Sequence, residues 1–179
     1  MEMITSSRIF ELIGCFSKLQ ELNLNFWICK LSADAEVSAP TTLPSVKTLR
    51  LYEIDFRNEI MVSCVIDMIC ACSNLETLLI KATYEDDVPA PAISSSQVDF
   101  SRIREMQLRK VVFVSVRGLE NEVCLMKSLL EYSPLLKEMD ISGKSMEVLG
   151  GHHGALMFAT KLLKLHRASP VAEIDFDFR

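Results

Sequence analysis

A six-residue pattern, apolar-x-x-apolar-x-apolar, runs through this chain at near-regular intervals. The copies start at Leu19, Val46, Leu75, Ile103, Leu136 and Val171, so the steps are 27, 29, 28, 33 and 35 residues. Repetition at a fixed period of this kind means a solenoid, in which each unit is stable only against its neighbours. The second and third apolar residues of each copy alternate with polar ones, the period-2 signature of a half-buried strand. The last copy is the clearest: Val171, Ile174, Phe176 and Phe178 are apolar, with Glu173, Asp175 and Asp177 between them. The expected fold is therefore α/β, a solenoid of about six short parallel strands with helices or loops as return segments.

Three return segments read as helices. Met61, Cys64, Val65, Met68 and Cys72 share one helical face, as do Val123, Met126, Leu129 and Leu130. Leu156, Ala159 and Leu163, with Phe158, Leu162 and Leu165 beside them, form the third stripe. The second helix should stop at Ser133-Pro134, where proline removes a donor. The segments 25–45 and 82–102 read as loops, marked by Pro40, Pro44, Pro89 and Pro91 and by Ser94-Ser95-Ser96. Ile9, Leu12, Ile13 and Phe16 make a further amphipathic helix before the first strand. The chain thus reads as starting in the middle of a repeat.

At 179 residues the chain reads as one continuous array, with no linker separating independent units. Hydrophobic residues are 49% and aromatics 7%, an aliphatic core suited to thin stacked layers. A net charge of −5 argues against nucleic acid as a partner. No apolar run reaches the roughly 18–20 residues of a membrane span, and Met1-Glu2-Met3-Ile4-Thr5, with no basic or long apolar stretch, is not expected to act as a secretory signal. Among Cys15, Cys29, Cys64, Cys70, Cys72 and Cys124 there is no CxxC pair. Without a recognisable signal the cytoplasm or nucleus is the expected compartment, where cysteines in helices pack reduced as small hydrophobes, although disulfides stay open in principle.

Strands of this pattern joined by return segments resemble leucine-rich repeats. The units are mostly longer than the common range, and Trp27, Ile54, Thr83, Val111, Lys144 and Arg179 stand where the usual Asn would be. They are similar to the irregular repeats of plant F-box proteins. From about Ser101 to Phe176 the chain resembles the FBD domain. The matching residues are Gly118, Glu122, the run Leu129-Leu130-Glu131-Tyr132-Ser133-Pro134-Leu135-Leu136-Lys137-Glu138-Met139, and Arg167-Ala168-Ser169-Pro170. The repeat start Cys72-Ser73-Asn74-Leu75-Glu76-Thr77-Leu78 is also family-like. The resemblance divides the chain into irregular leucine-rich repeats over 1–100 and FBD-like repeats over 101–179, continuing the same solenoid. It implies the target-recognition part of an F-box receptor in an SCF-type ubiquitin ligase. The partner is then a target protein, joined by a Skp-type adaptor only if an F-box lies upstream, since none is recognisable here. The alternative is a truncated, stand-alone repeat protein that binds partners without recruiting a ligase, or has no function.

Partners should meet the outward strand residues. The columns are Glu21, Thr48, Thr77, Glu105, Glu138 and Glu173; then Asn23, Arg50, Leu79, Gln107, Asp140 and Asp175; then Asn25, Tyr52, Lys81, Arg109, Ser142 and Asp177. Arg50, Lys81 and Arg109 lie mid-array, while Glu138, Asp140, Glu173, Asp175 and Asp177 gather at the C-terminal end. Such a bipolar surface suits a protein of complementary charge, although charge on an edge strand also serves simply to block edge-to-edge pairing. Tyr52 and Leu79 are the expected anchors. Adjacent His152 and His153 in Gly150-Gly151-His152-His153-Gly154 diverge and have no thiol or acidic ligand at useful spacing, so a flexible loop is expected rather than a metal site. His166 should end a helix beside Arg167. Phe26 and Trp27 are expected to pack against the convex side. Ser94-Ser95-Ser96 reads as a linker or a phosphorylation tract. No phosphate loop, nucleophile elbow or Cys–His pair is present, so neither catalysis nor a cofactor is expected.

Overall fold

The computed structural model describes residues 17–27, 42–84, 98–143 and 149–178. The expected helix around Ile9–Phe16, Ser94-Ser95-Ser96, Cys15 and Cys29 lie outside the described residues. The described chain is α/β. Its elements run β1 (Glu21–Asn25), β2 (Thr48–Ile54), α1 (Glu59–Ala71), β3 (Thr77–Ala82), a 3-10 turn (Phe100–Arg102), β4 (Lys110–Val116), α2 (Glu120–Tyr132), β5 (Glu138–Gly143), α3 (Gly151–Leu163) and β6 (Glu173–Asp177). The six strands form one open parallel sheet in the order β1-β2-β3-β4-β5-β6, each beside its sequence neighbour.

Register is set at the entrance of each strand. The carbonyl of the residue just before β1, β2, β3 and β4 accepts two N–H bonds from the start of the next strand, and that of Lys137 before β5 accepts one, from Glu173 N at 2.9 Å. Gln20 O takes Lys47 N and Thr48 N at 2.8 and 3.0 Å, and Lys47 O takes Glu76 N and Thr77 N at 2.8 and 2.9 Å. Glu76 O takes Arg109 N and Lys110 N at 2.8 and 3.1 Å, and Arg109 O takes Lys137 N and Glu138 N at 2.8 and 3.2 Å. Arg109 is thus equivalent to Gln20, Lys47, Glu76 and Lys137. This corrects the fourth strand. It is 110–116, entered through Leu108-x-x-Val111-x-Phe113, and not the overlapping copy that starts at Ile103. Ile103, Met106 and Leu108 are buried ahead of it, which explains why both copies satisfy the pattern.

One sheet face is the core. Leu22, Leu49, Leu78, Val111 and Met139 align across it, and so do Leu51, Ile80, Phe113 and Ile141; all are buried. In β2 and β4 the alternation is broken once. Glu53 and Ser115 take φ of 61° and 63°, and the register shifts at the same points. The extra residue reverses the phase, so Ile54 and Val116 enter the core instead of facing out. A left-handed non-glycine residue costs about 1–2 kcal/mol; burying Ile54 and Val116 offsets it at about 1.5–3 kcal/mol each.

The helices follow from local chemistry. Asn58 caps α1, its side chain accepting from Ile60 N and Met61 N at 3.1 and 3.2 Å. The helix then buries Met61, Cys64, Val65 and Met68, as its stripe requires. Glu122 anchors the start of α2: its carboxylate accepts from Leu119 N at 2.8 Å and Arg117 N at 3.1 Å. The His152-His153 segment is not a loop but the first turn of α3. Gly154 permits it, since a Cβ there would lie 1.7 Å from Leu149 O. The α3 stripe is also rotated: Ala155, Phe158 and Leu162 are buried, while Leu156 and Leu163 are 65% and 51% exposed. Phe158 turns inward beside Gly118, where any Cβ would crowd its ring at 3.3 Å. The helix ends at Leu163, before His166. Phe26 is buried, but Trp27 is 74% exposed, so only the first packs as expected.

Candidate protein-binding face

The second sheet face carries the outward residues, and no described helix covers it. Its rows follow from the register. One row runs Asn23, Arg50, Leu79, Val112, Asp140, Asp175. Beside it lie Tyr52, Lys81 and Val114 on β2, β3 and β4, and on the other side Glu21, Thr48, Thr77, Lys110, Glu138 and Glu173. Of the expected site residues, Arg50, Tyr52, Leu79, Lys81, Glu138, Asp140, Glu173 and Asp175 are on this face.

Gln107 and Arg109 are not. Both precede β4, and their outward places are taken by Val112 and Val114, as Lys110 takes that of Glu105. Gln107 and Arg109 instead line a cleft of about 610 Å³ at the strand entrances, with Lys18, Lys47, Asn74 and Glu76. There Glu76 meets Lys47 Nζ at 2.8 Å and Arg109 Nε at 3.8 Å. The Lys47 hydrogen bond, then its charge, holds the Glu76 carboxyl below its ordinary range.

The corrected register makes the middle of the face apolar. Leu79 and Val112 are register partners, Tyr52 and Val114 lie in the next row on either side of Lys81, and all four are half-buried. Val112 and Val114 were legible in principle, because Val111-Val112-Phe113-Val114 is a run of strand-forming residues. An apolar centre rimmed by charge is the anatomy of a protein interface rather than of a small-molecule pocket.

The rim is internally paired on its basic side. Arg50 Nη1 donates to Glu21 Oε2 at 3.1 Å and to Asn23 Oδ1 at 3.3 Å. Lys81 Nζ stands 3.5 Å from Glu53, which the bulge in β2 presents to it. Lys110 Nζ reaches Glu138 at 2.6 Å and Asp140 at 3.0 Å. Those hydrogen bonds, Glu138 first, push the Lys110 ammonium up to about 12.

Tyr84 donates its hydroxyl to the buried Glu122, and the Arg117 guanidinium lies 4.5 Å over its ring. Burial, then the Glu122 charge, pushes the Tyr84 hydroxyl up. Burial pushes the Cys72 thiol up to about 12, which suits a packed thiol rather than a nucleophile. Among the described residues no group of three or more His, Cys, Asp or Glu could hold a metal ion, and no helix is long and apolar enough to cross a membrane.

Of the residues that carry the resemblance, Leu129, Leu130, Ser133, Leu136, Met139 and Ser169 are buried, while Glu131, Pro134, Leu135 and Pro170 are exposed. Ser169 Oγ donates to Leu136 O at 2.6 Å, Arg167 Nη1 to Ala172 O at 2.9 Å and Ala168 N to Leu130 O at 2.9 Å. Arg167-Ala168-Ser169-Pro170 therefore ties the chain after α3 to α2, to the entrance of β5 and to the start of β6. Comparison with known proteins gives no matching family model and no matching curated relative.

Proposed function

We propose that this chain is a non-catalytic protein-interaction module. In this reading it is a leucine-rich-repeat-like solenoid of the plant F-box/FBD type, working in the cytoplasm or nucleus as the target-recognition part of an SCF-type ubiquitin ligase receptor. The observation that carries the interaction reading is the open sheet face, with Tyr52, Leu79, Val112 and Val114 at its centre and paired charges around them. The sequential strand order and the two-donor carbonyl repeated ahead of β1, β2, β3 and β4 support the solenoid. The ligase assignment rests on the motif resemblance alone.

The test is to fuse the chain behind an F-box and compare protein abundance in plant cells with and without proteasome inhibition. Targets are the proteins depleted by the wild-type fusion and spared by a Leu79→Asp/Val112→Asp fusion. If no protein is depleted in a face-dependent manner, the receptor reading fails.

A further inference from the structure

The charges on the open face are not balanced, and the imbalance names a partner class. The cations of that face, Arg50, Lys81 and Lys110, already meet carboxylates inside the sheet at 3.1, 3.5 and 2.6 Å. An acidic partner would have to break those pairs. The opposite holds at β6. Glu173 and Asp175 are exposed, and among the described residues no Lys or Arg lies within ion-pair distance of either. Their register partners on β5 are Glu138 and Asp140, which carry the same sign. Like charges directly opposite are destabilising in a sheet; Lys110 already meets Glu138 and Asp140, so a second cation beside Glu173 and Asp175 offsets the negative charge that Lys110 leaves.

We propose that the face takes an extended segment of a partner protein carrying an apolar residue and, about four residues away, a Lys or Arg. The spacing follows from the register. Leu79, Val112, Asp140 and Asp175 occupy one row on successive strands. Three strand spacings of about 4.8 Å separate Leu79 from Asp175, roughly 14 Å, or four residues of extended chain at about 3.5 Å each. The apolar residue seats on Leu79 and Val112, beside the row Tyr52, Lys81 and Val114. The cation seats between Glu173 and Asp175. Anionic membrane surfaces and nucleic acid carry the wrong sign for this end of the face. The proposal rests on the interaction-module reading and adds its chemical class.

The test is selection of random linear peptides of about twelve residues, displayed on phage, against the full chain at low salt. Enriched peptides are then synthesised and titrated against the wild type, Glu173→Gln/Asp175→Asn and Leu79→Ser, with melting curves to verify that each variant is folded. The expected peptides pair an apolar residue with a Lys or Arg about four positions away. Their affinity should fall about tenfold with Glu173→Gln/Asp175→Asn, fall with added salt, and fall with Leu79→Ser. A neutral or acidic peptide set, or affinity indifferent to Glu173→Gln/Asp175→Asn, overturns the basic class. If Leu79→Ser still weakens binding in that case, the interaction reading stands. If neither variant matters, or no peptide is enriched, both fall. Self-association of the wild type abolished by the same variants would assign the face to a second copy and overturn the proposal as well.

Discussion

Leu79 on β3 and Val112 on β4 are register partners, side by side on the open face. Arg50 and Asp140 flank them in the same row. The next residue along β4, Phe113, points the opposite way and is fully buried. Neighbouring residues of one strand therefore have separate tasks, one in the core and one on the face.

Substitution should separate those tasks. Phe113→Ala opens a cavity in the core and should cost about 3–5 kcal/mol. Val112→Ala, on the face, should cost less than about 1.5 kcal/mol. Urea unfolding of both variants checks the register of β4. Equal losses would mean that the strand is placed wrongly.

Five of the six strand copies were legible in the sequence, because their apolar pairs had only one possible register. The fourth was not. Ile103-x-x-Met106-x-Leu108 and Leu108-x-x-Val111-x-Phe113 share Leu108, and both bury their apolar residues. The decision came from backbone hydrogen bonds to the Glu76 carbonyl, which leave no mark in composition. The consequence for the site was direct: Gln107 and Arg109 moved to the strand entrances, and two valines took their places on the face. For α3 the helix itself was legible but its rotation was not, since Ala155-x-x-Phe158-x-x-x-Leu162 and Leu156-x-x-Ala159-x-x-x-Leu163 are equally periodic. The glycine at 118 that receives the Phe158 ring lies far away in sequence. Ion pairing on the face was likewise illegible, because it depends on which strands are neighbours.

Glu122 should give the chain a pH signature. Burial raises its pKa above the ordinary carboxylate range, against hydrogen bonds from Tyr84 and from the Leu119 and Arg117 amides. The folded state then holds this proton to higher pH than the unfolded state. The contribution to stability is fully present below the unfolded pKa and is lost as pH rises through the folded one. Glu122→Gln should remove that decline. The readout is the urea midpoint from about pH 5 to pH 8 in wild type and variant. An identical slope in the two proteins would assign the decline to other groups.

The start of α3 makes a prediction that distinguishes steric fit from backbone conformation. At Gly154 a Cβ would lie 1.7 Å from Leu149 O, so Gly154→Ala must displace the first turn. At Gly151 nothing lies within 4 Å, and only its φ of 72° opposes a side chain. Gly151→Ala should therefore cost about 1–2 kcal/mol, and Gly154→Ala more than that, with loss of helical signal in circular dichroism. A reversed order would contradict the tight turn.

Ser169 tests whether the Arg167-Ala168-Ser169-Pro170 motif is a structural clamp. Its hydroxyl is buried and donates to Leu136 O, the carbonyl two residues before β5. Ser169→Ala removes the donor and leaves that carbonyl without its side-chain partner, at a cost of about 1–3 kcal/mol. Arg167→Ala removes the bond to Ala172 O, which lies nearer the surface, and should cost less. Because α3 and β6 hang on this connection, hydrogen exchange should quicken first in β6 when Ser169 is replaced, while β2 and β3 keep their protection. A uniform loss of protection across the sheet would mean that the six strands unfold as one unit and that Ser169 anchors no separate C-terminal part.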